Sequence, residues 1–168
     1  MKFANMLFSE IIEEFNHANG REARIAVLQK YGSNPWFKEF LNYAFNPRIH
    51  FDISEIPTYK PAVEPAGLNF TNLSNEMRRL YIFIVGHPKR TVKLDAKHEG
   101  RILNVLLSSL HKDEAELLVK LFAKSLGVKY LTARLVKEAF PTMPFEVAAP
   151  VEAPGPVVKT IRGTVAKV

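Results

Sequence analysis

Five histidines, His17, His50, His87, His98 and His111, are the first candidates for chemistry in this chain. They form no HExxH pair and no close set with carboxylates. His98 and Glu99 are adjacent, so on a helix they point to different faces and make poor co-ligands. The chain has no cysteine, which excludes thiol catalysis, disulfides and thiolate metal sites. Its eight glycines build neither a P-loop nor a GxGxxG and fall mostly where helices should end. Asp113, Glu114 and Glu116 resemble a catalytic acid group, but acids in the opening turns of a helix complement its dipole. No serine has an evident His/Asp partner. The expectation is therefore no catalytic residue, no metal site and no cofactor.

What remains is charge. Lys and Arg total 23 against 17 for Asp and Glu, a net +6 with a pI near 9.5. The excess is uneven, because residues 1–64 are close to neutral. Between 77 and 101 stand Arg78, Arg79, Lys89, Arg90, Lys93, Lys97 and Arg101, with only Asp95 and Glu99 against them. Between 120 and 137 stand Lys120, Lys124, Lys129, Arg134 and Lys137, with no acid. Such clusters suit phosphate backbones, which bind through counterion release. The first cluster, with Lys129 and Arg134 as a second contact, is the candidate DNA-binding set. The competing reading is a solvated basic face, and Lys120 and Lys124, late in a helix that opens with acids, have a dipole explanation of their own.

These residues need elements to position them. At 168 residues and 47% hydrophobic, the chain suits one domain, residues 1–145, with a tail over 146–168. Phe3, Leu7, Phe8, Ile11, Ile12, Phe15 and Ala18 have helical spacing, and Gly20 ends that helix. A second helix runs from Arg21 to Tyr31, and a third opens at Ser33-Asn34-Pro35 and closes at Asn46-Pro47. A fourth starts at Thr71 or Asn72 and ends at Gly86, with Leu73, Met77, Leu80, Tyr81 and Ile84 inward. A fifth follows the cap Asp95 and carries Ile102, Leu103, Leu106, Leu107 and Leu110. A sixth covers Asp113 to Ser125, and a seventh runs from Thr132 to Phe140. Between the third and fourth, Ile49, Phe51 and Ile53 alternate with polar residues as a short extended piece. Pro57, Pro61 and Pro65 then make an extended crossover pinned by Ile56, Tyr59 and Val63. The expected fold is all-α, a compact bundle of about seven helices with a Pro-rich crossover and a C-terminal tail.

The N-terminus lacks the marks of a secretion signal, and no stretch approaches the length of a membrane span, so no membrane association is expected. In the tail, an Ala/Pro linker from Ala148 to Pro156 precedes the β-prone, basic VVKTIRGTV. Val157, Val158, Lys159, Ile161 and Arg162 are its candidate partner-binding residues, through pairing with a sheet edge.

The order of segments carries a resemblance. KYGSNPWFKEFLNYAFNPRIHF leads into IPTYKP and NLSNEMRRLYIFI, followed by EGRILNVLLSSLHKDEAELLVKLFAKS and LVKEAFPTMPF. Over about residues 20–145 this resembles a family of small uncharacterised proteins of T-even-like bacteriophages. More distantly, NYAFNP with HFDI after it, and LGVKYLTARLVKEAFPTMP, resemble the helical N-terminal DNA-binding domain of phage ATP-dependent DNA ligases. That likeness implies an all-helical fold gripping the duplex backbone across the minor groove. The implied contacts are Lys93, Lys97 and Arg101 before and within the fifth helix, and Lys129, Arg134 and Lys137 around the last. The KxDG lysine that ligases adenylate has no counterpart here, so ligation and ATP are not implied.

The expectation is a non-enzymatic, largely sequence-independent duplex DNA-binding accessory protein of a bacteriophage, acting in the host cytoplasm in replication, repair or packaging. The alternative is a virion or interaction module that docks on a phage or host protein through its tail.

Overall fold

Helix α1 begins without a cap of its own: Leu7 stands at the N-cap position and has no side-chain acceptor. The acceptor comes from elsewhere in the chain. In the computed structural model, which describes residues 6–91 and 93–145, the backbone N–H of Phe8 donates to Glu114 Oε2 at 2.8 Å. Glu114 Oε1 accepts from the N–H of Leu73 at 2.9 Å, the first residue of another helix. One buried carboxylate thus serves two helix N-termini, and the fold is organised around it.

Described in chain order, the helices are α1 (Phe8–His17), α2 (Arg21–Lys30), α3 (Pro35–Phe45), α4 (Leu73–Glu76), α5 (Ala96–Ser109), α6 (Lys112–Phe122) and α7 (Ala133–Ala139). The fold is all-α. Local chemistry accounts for most of the starts. The Asn34 side chain accepts from Trp36 N with Pro35 in the first turn, and Asn72, Asp95, His111 and Thr132 cap the later helices in the same way. Gly20, at φ 90°, takes the backbone turn between α1 and α2 that a side chain would strain. Gly32 is needed for space: a Cβ there would sit 2.5 Å from the Phe140 ring.

The fourth helix departs from its expected form. After α4 the chain tightens into a 3-10 helix over Met77–Phe83. A 3-10 helix has three residues per turn, so positions three apart eclipse. The buried residues are Met77, Leu80 and Phe83, at that spacing; Phe83 takes the inward place expected of Tyr81, which is half-buried. The cause lies beyond the segment. Asp52 N donates to Phe83 O at 2.6 Å and Val85 N to His50 O at 2.9 Å, flanking an antiparallel bridge between Phe51 and Ile84. Helix α6 also stops at Phe122, short of Ser125, because Lys124 adopts φ 60°.

The core is aromatic where α1 meets α3: Phe8 packs on Phe37 and Phe40 at 5.4 and 5.2 Å between ring centroids. A second layer joins Phe122 of the α6 terminus to Phe51 and Phe83. Helix α7 packs on α2, and α5 on α6. The Pro-rich crossover lies over this core through Ile56 and Tyr59, while Val63, expected to pin it, is 85% exposed. Ile102, placed inward by its spacing, is 37% exposed.

Glu114 is 1% exposed, and burial pushes its carboxyl up in pKa against the two amides that pull it down. Replacing it with alanine strands two buried N–H groups. E114A is expected to lower unfolding stability by about 2–4 kcal/mol, read from urea denaturation. E114Q, which keeps one acceptor oxygen, should lose less; an E114A protein as stable as the parent would contradict the role.

Candidate nucleic-acid interface

Each cation proposed from the sequence now has a place. In the first cluster, Arg78, Lys89, Lys97 and Arg101 are exposed, and their side chains make no hydrogen bond or ion pair among the described residues. Lys93 is 75% exposed and lies 3.7 Å from Asp52. Arg79 is 72% exposed and pairs with Glu76 at 3.0 Å. Arg90 differs. Its side chain is 10% exposed, pairs with Asp52 at 2.9 Å and donates to Ile84 O. It ties the loop after the 3-10 helix to the residue beside Phe51, so its guanidinium is committed inside the chain.

The acids of this stretch behave oppositely. Glu99 is buried and accepts from Ser54 N at 2.7 Å, fastening the crossover to α5. Glu76, also buried, accepts from Thr71 Oγ1 as well as Arg79. Asp52 is held below the usual carboxylate range by the Arg90 hydrogen bond and then by Lys93. Asp95 is held low by the backbone N–H of His98 and then by its ring, since it caps α5. The carboxylates are spent on amides and internal pairs while most of the lysines and arginines face water. Burial removes Glu99 and Arg90 alike from this surface, and Asp95 stays exposed, so the charge excess read in the sequence is kept there.

The second cluster disperses. Lys137 donates to Met143 O at 2.6 Å, with its ammonium 5.7 Å from the Phe145 ring. Lys120 and Lys129 line a polar groove whose other walls include Glu13, Asp113 and Glu116, so acids share their surroundings. Lys129 also lies over the Tyr130 ring, which Arg24 covers at 3.9 Å. Arg134 is exposed on α7. The tail residues Val157, Val158, Lys159, Ile161 and Arg162 lie outside the described residues.

Two features escaped the sequence reading. Lys124, counted there with the surface charge, reaches inward and donates to Tyr43 O at 2.6 Å and Asn46 O at 2.8 Å. It caps the C-terminus of α3, where carbonyls lack intrahelical partners and the dipole favours a cation. The second feature is an apolar groove of about 430 Å³ between the 3-10 helix and α5, with Arg79 and Arg101 in its lining. A signal for it exists in α5: with Val105 added, the apolar residues cover a wider arc than one core-facing stripe needs.

Among the described residues no helix is long and apolar enough to cross a membrane. Burial pushes the Lys124 ammonium down to about 8. Its neutral amine still carries two N–H groups for the two carbonyls, so the proton can leave with both bonds intact. Between about pH 8 and the ordinary lysine value of 10.5, the unfolded chain holds this proton and the folded chain does not. The contribution of Lys124 to stability therefore rises with pH across that window. An NMR titration of the lysine Cε resonances should show Lys124 with a midpoint near 8; an unshifted lysine midpoint would refute the buried cap.

Comparison with known proteins gives the chain a family but no activity. No curated protein matches it. A family model described as a family of unknown function (DUF6433) matches residues 11–128, from α1 past the end of α6, and the chain belongs to that family.

Proposed function

We propose that this protein is a non-enzymatic, largely sequence-independent duplex DNA-binding accessory protein, and that its contact surface is the basic stretch from Arg78 to Arg101. The reading places it in the host cytoplasm of a bacteriophage infection, following the resemblance of its segments to phage proteins and to the DNA-gripping domain of ligases. One observation carries it. Arg78, Lys89, Lys97 and Arg101 have exposed side chains with no partner among the described residues, and Lys93 is 75% exposed, while Glu76 and Glu99 are buried and Asp52 is paired internally. Cations so placed neutralise phosphates and release condensed counterions, and they carry no base-edge code. Arg90 belongs to the scaffold in this reading, and Lys137 to the packing of the last turn.

Anisotropy of a labelled generic duplex measures this directly. With five such cations, log affinity should fall against log salt with a slope of about −4.5. The K89E/K93E/K97E variant should lose at least about tenfold in affinity at low salt, while R134E, on α7, changes it little. Absence of duplex binding at low salt, or an affinity indifferent to salt, would overturn the proposal.

A further inference from the structure

The groove between the 3-10 helix and α5 is exposed apolar surface, and of its lining the DNA reading uses only Arg101. Phe70 stands on its wall 92% exposed, and Val105 is 65% exposed on α5. Its volume, about 430 Å³, lies within the roughly 300–1,000 Å³ of ligand clefts. The interior, formed by Leu80, Ile82, Phe83 and Leu106 with Ile102 at the edge, is hydrocarbon. The hydroxyls in the lining are already spent: Thr71 Oγ1 donates to Glu76, and Ser109 Oγ donates to Val105 O at 2.7 Å. Of the three charged groups in the lining, Glu76 is buried and paired with Arg79, while Arg79 and Arg101 are exposed, so the edge facing an occupant carries a net positive charge. Arg101 has no partner among the described residues.

We infer that this groove docks an acidic, amphipathic segment of a partner protein. Its apolar side chains fill the space beside Val105 and Phe70, and its carboxylates meet Arg101 and Arg79. The charge pattern selects this occupant. A basic segment would set cation against cation, and a nucleobase would find no free hydrogen-bond group in the interior to read its edge. Seating a helix in such a groove is a recurrent mode of peptide recognition, with apolar anchors three and four residues apart. The polar groove beside Lys120 and Lys129 offers no comparable apolar interior, since its walls mix acids and lysines.

The test uses the full chain and two synthetic peptides with the same leucine pattern, one with glutamate and one with lysine at the polar positions. Their displacement of 1-anilinonaphthalene-8-sulfonate, an anionic aromatic dye suited to an apolar groove with a cationic edge, gives the affinity. The glutamate peptide is expected to bind and displace the dye, and the lysine peptide is not. V105E should weaken the glutamate peptide about tenfold or more, and R79E/R101E should transfer preference to the lysine peptide. All three substituted residues are exposed, and unchanged thermal melting confirms that a loss is not unfolding. K89E/K93E/K97E should lose duplex binding and keep the glutamate peptide, so the two proposals fail separately. Equal binding of both peptides, or indifference to V105E, overturns the inference. So does dye displacement by single-stranded oligothymidine but not by the glutamate peptide. A concentration-dependent dimer abolished by V105E, without peptide binding, would assign the groove to a second copy of the chain and overturn it too.

Discussion

Everything in this fold converges on one buried carboxylate. Glu114, on the first turn of α6, receives the opening N–H groups of α1 and α4 from 106 and 41 residues away. A helix N-terminus carries partial positive charge and unpaired donors, and burying two of them together without an anion would cost several kcal/mol. The anion lets α1 meet α3 through Phe8, Phe37 and Phe40 and lets α4 start against α6. It also supplies α1 with the acceptor that Leu7 lacks. Both oxygens are committed to amides, so a carboxyl with a raised pKa is here a structural group rather than a general acid.

The same economy governs the rest of the ionisable groups. Buried backbone donors must be paired, and in this chain acids pair several of them: Glu99 takes the part-buried Ser54 N, and Glu114 takes two. Fewer backbone acceptors need cations, and Lys124, Lys137 and Arg90 serve those. Around residues 78–101 one acid, Glu99, and one base, Arg90, are withdrawn from solvent, so the positive excess counted in the sequence stays at the surface.

The 3-10 segment links scaffold and groove. Held at its end by the bridge to Phe51, it turns Met77, Leu80 and Phe83 in register toward the core. Ile82 and Arg79 are left along the neighbouring α5, where Ile102, Val105 and Arg101 complete the groove. The groove is the space between the 3-10 helix and α5 that the side chains of the two do not fill.

By itself the sequence determined the helical class, most helix starts and much of the core. Caps such as Asn34, Asp95 and Thr132 act within three residues, and apolar spacing along α1, α3 and α6 depends only on helical geometry. It also marked out the basic stretch, since charge is counted without coordinates. Tertiary structure decided which of those charges face water. Arg90 and Arg78 look alike in sequence, yet one meets Asp52 from 38 residues away and the other meets solvent. Glu114 and Lys124 read as ordinary dipole-matching residues of α6, and only long-range packing makes one the shared cap of two helices and the other the cap of α3. Val63 and Ile102 follow apolar patterns that the fold leaves exposed. The physical reason is the same in each case: caps and periodicity are local, whereas desolvation and pairing depend on groups brought together from distant parts of the chain.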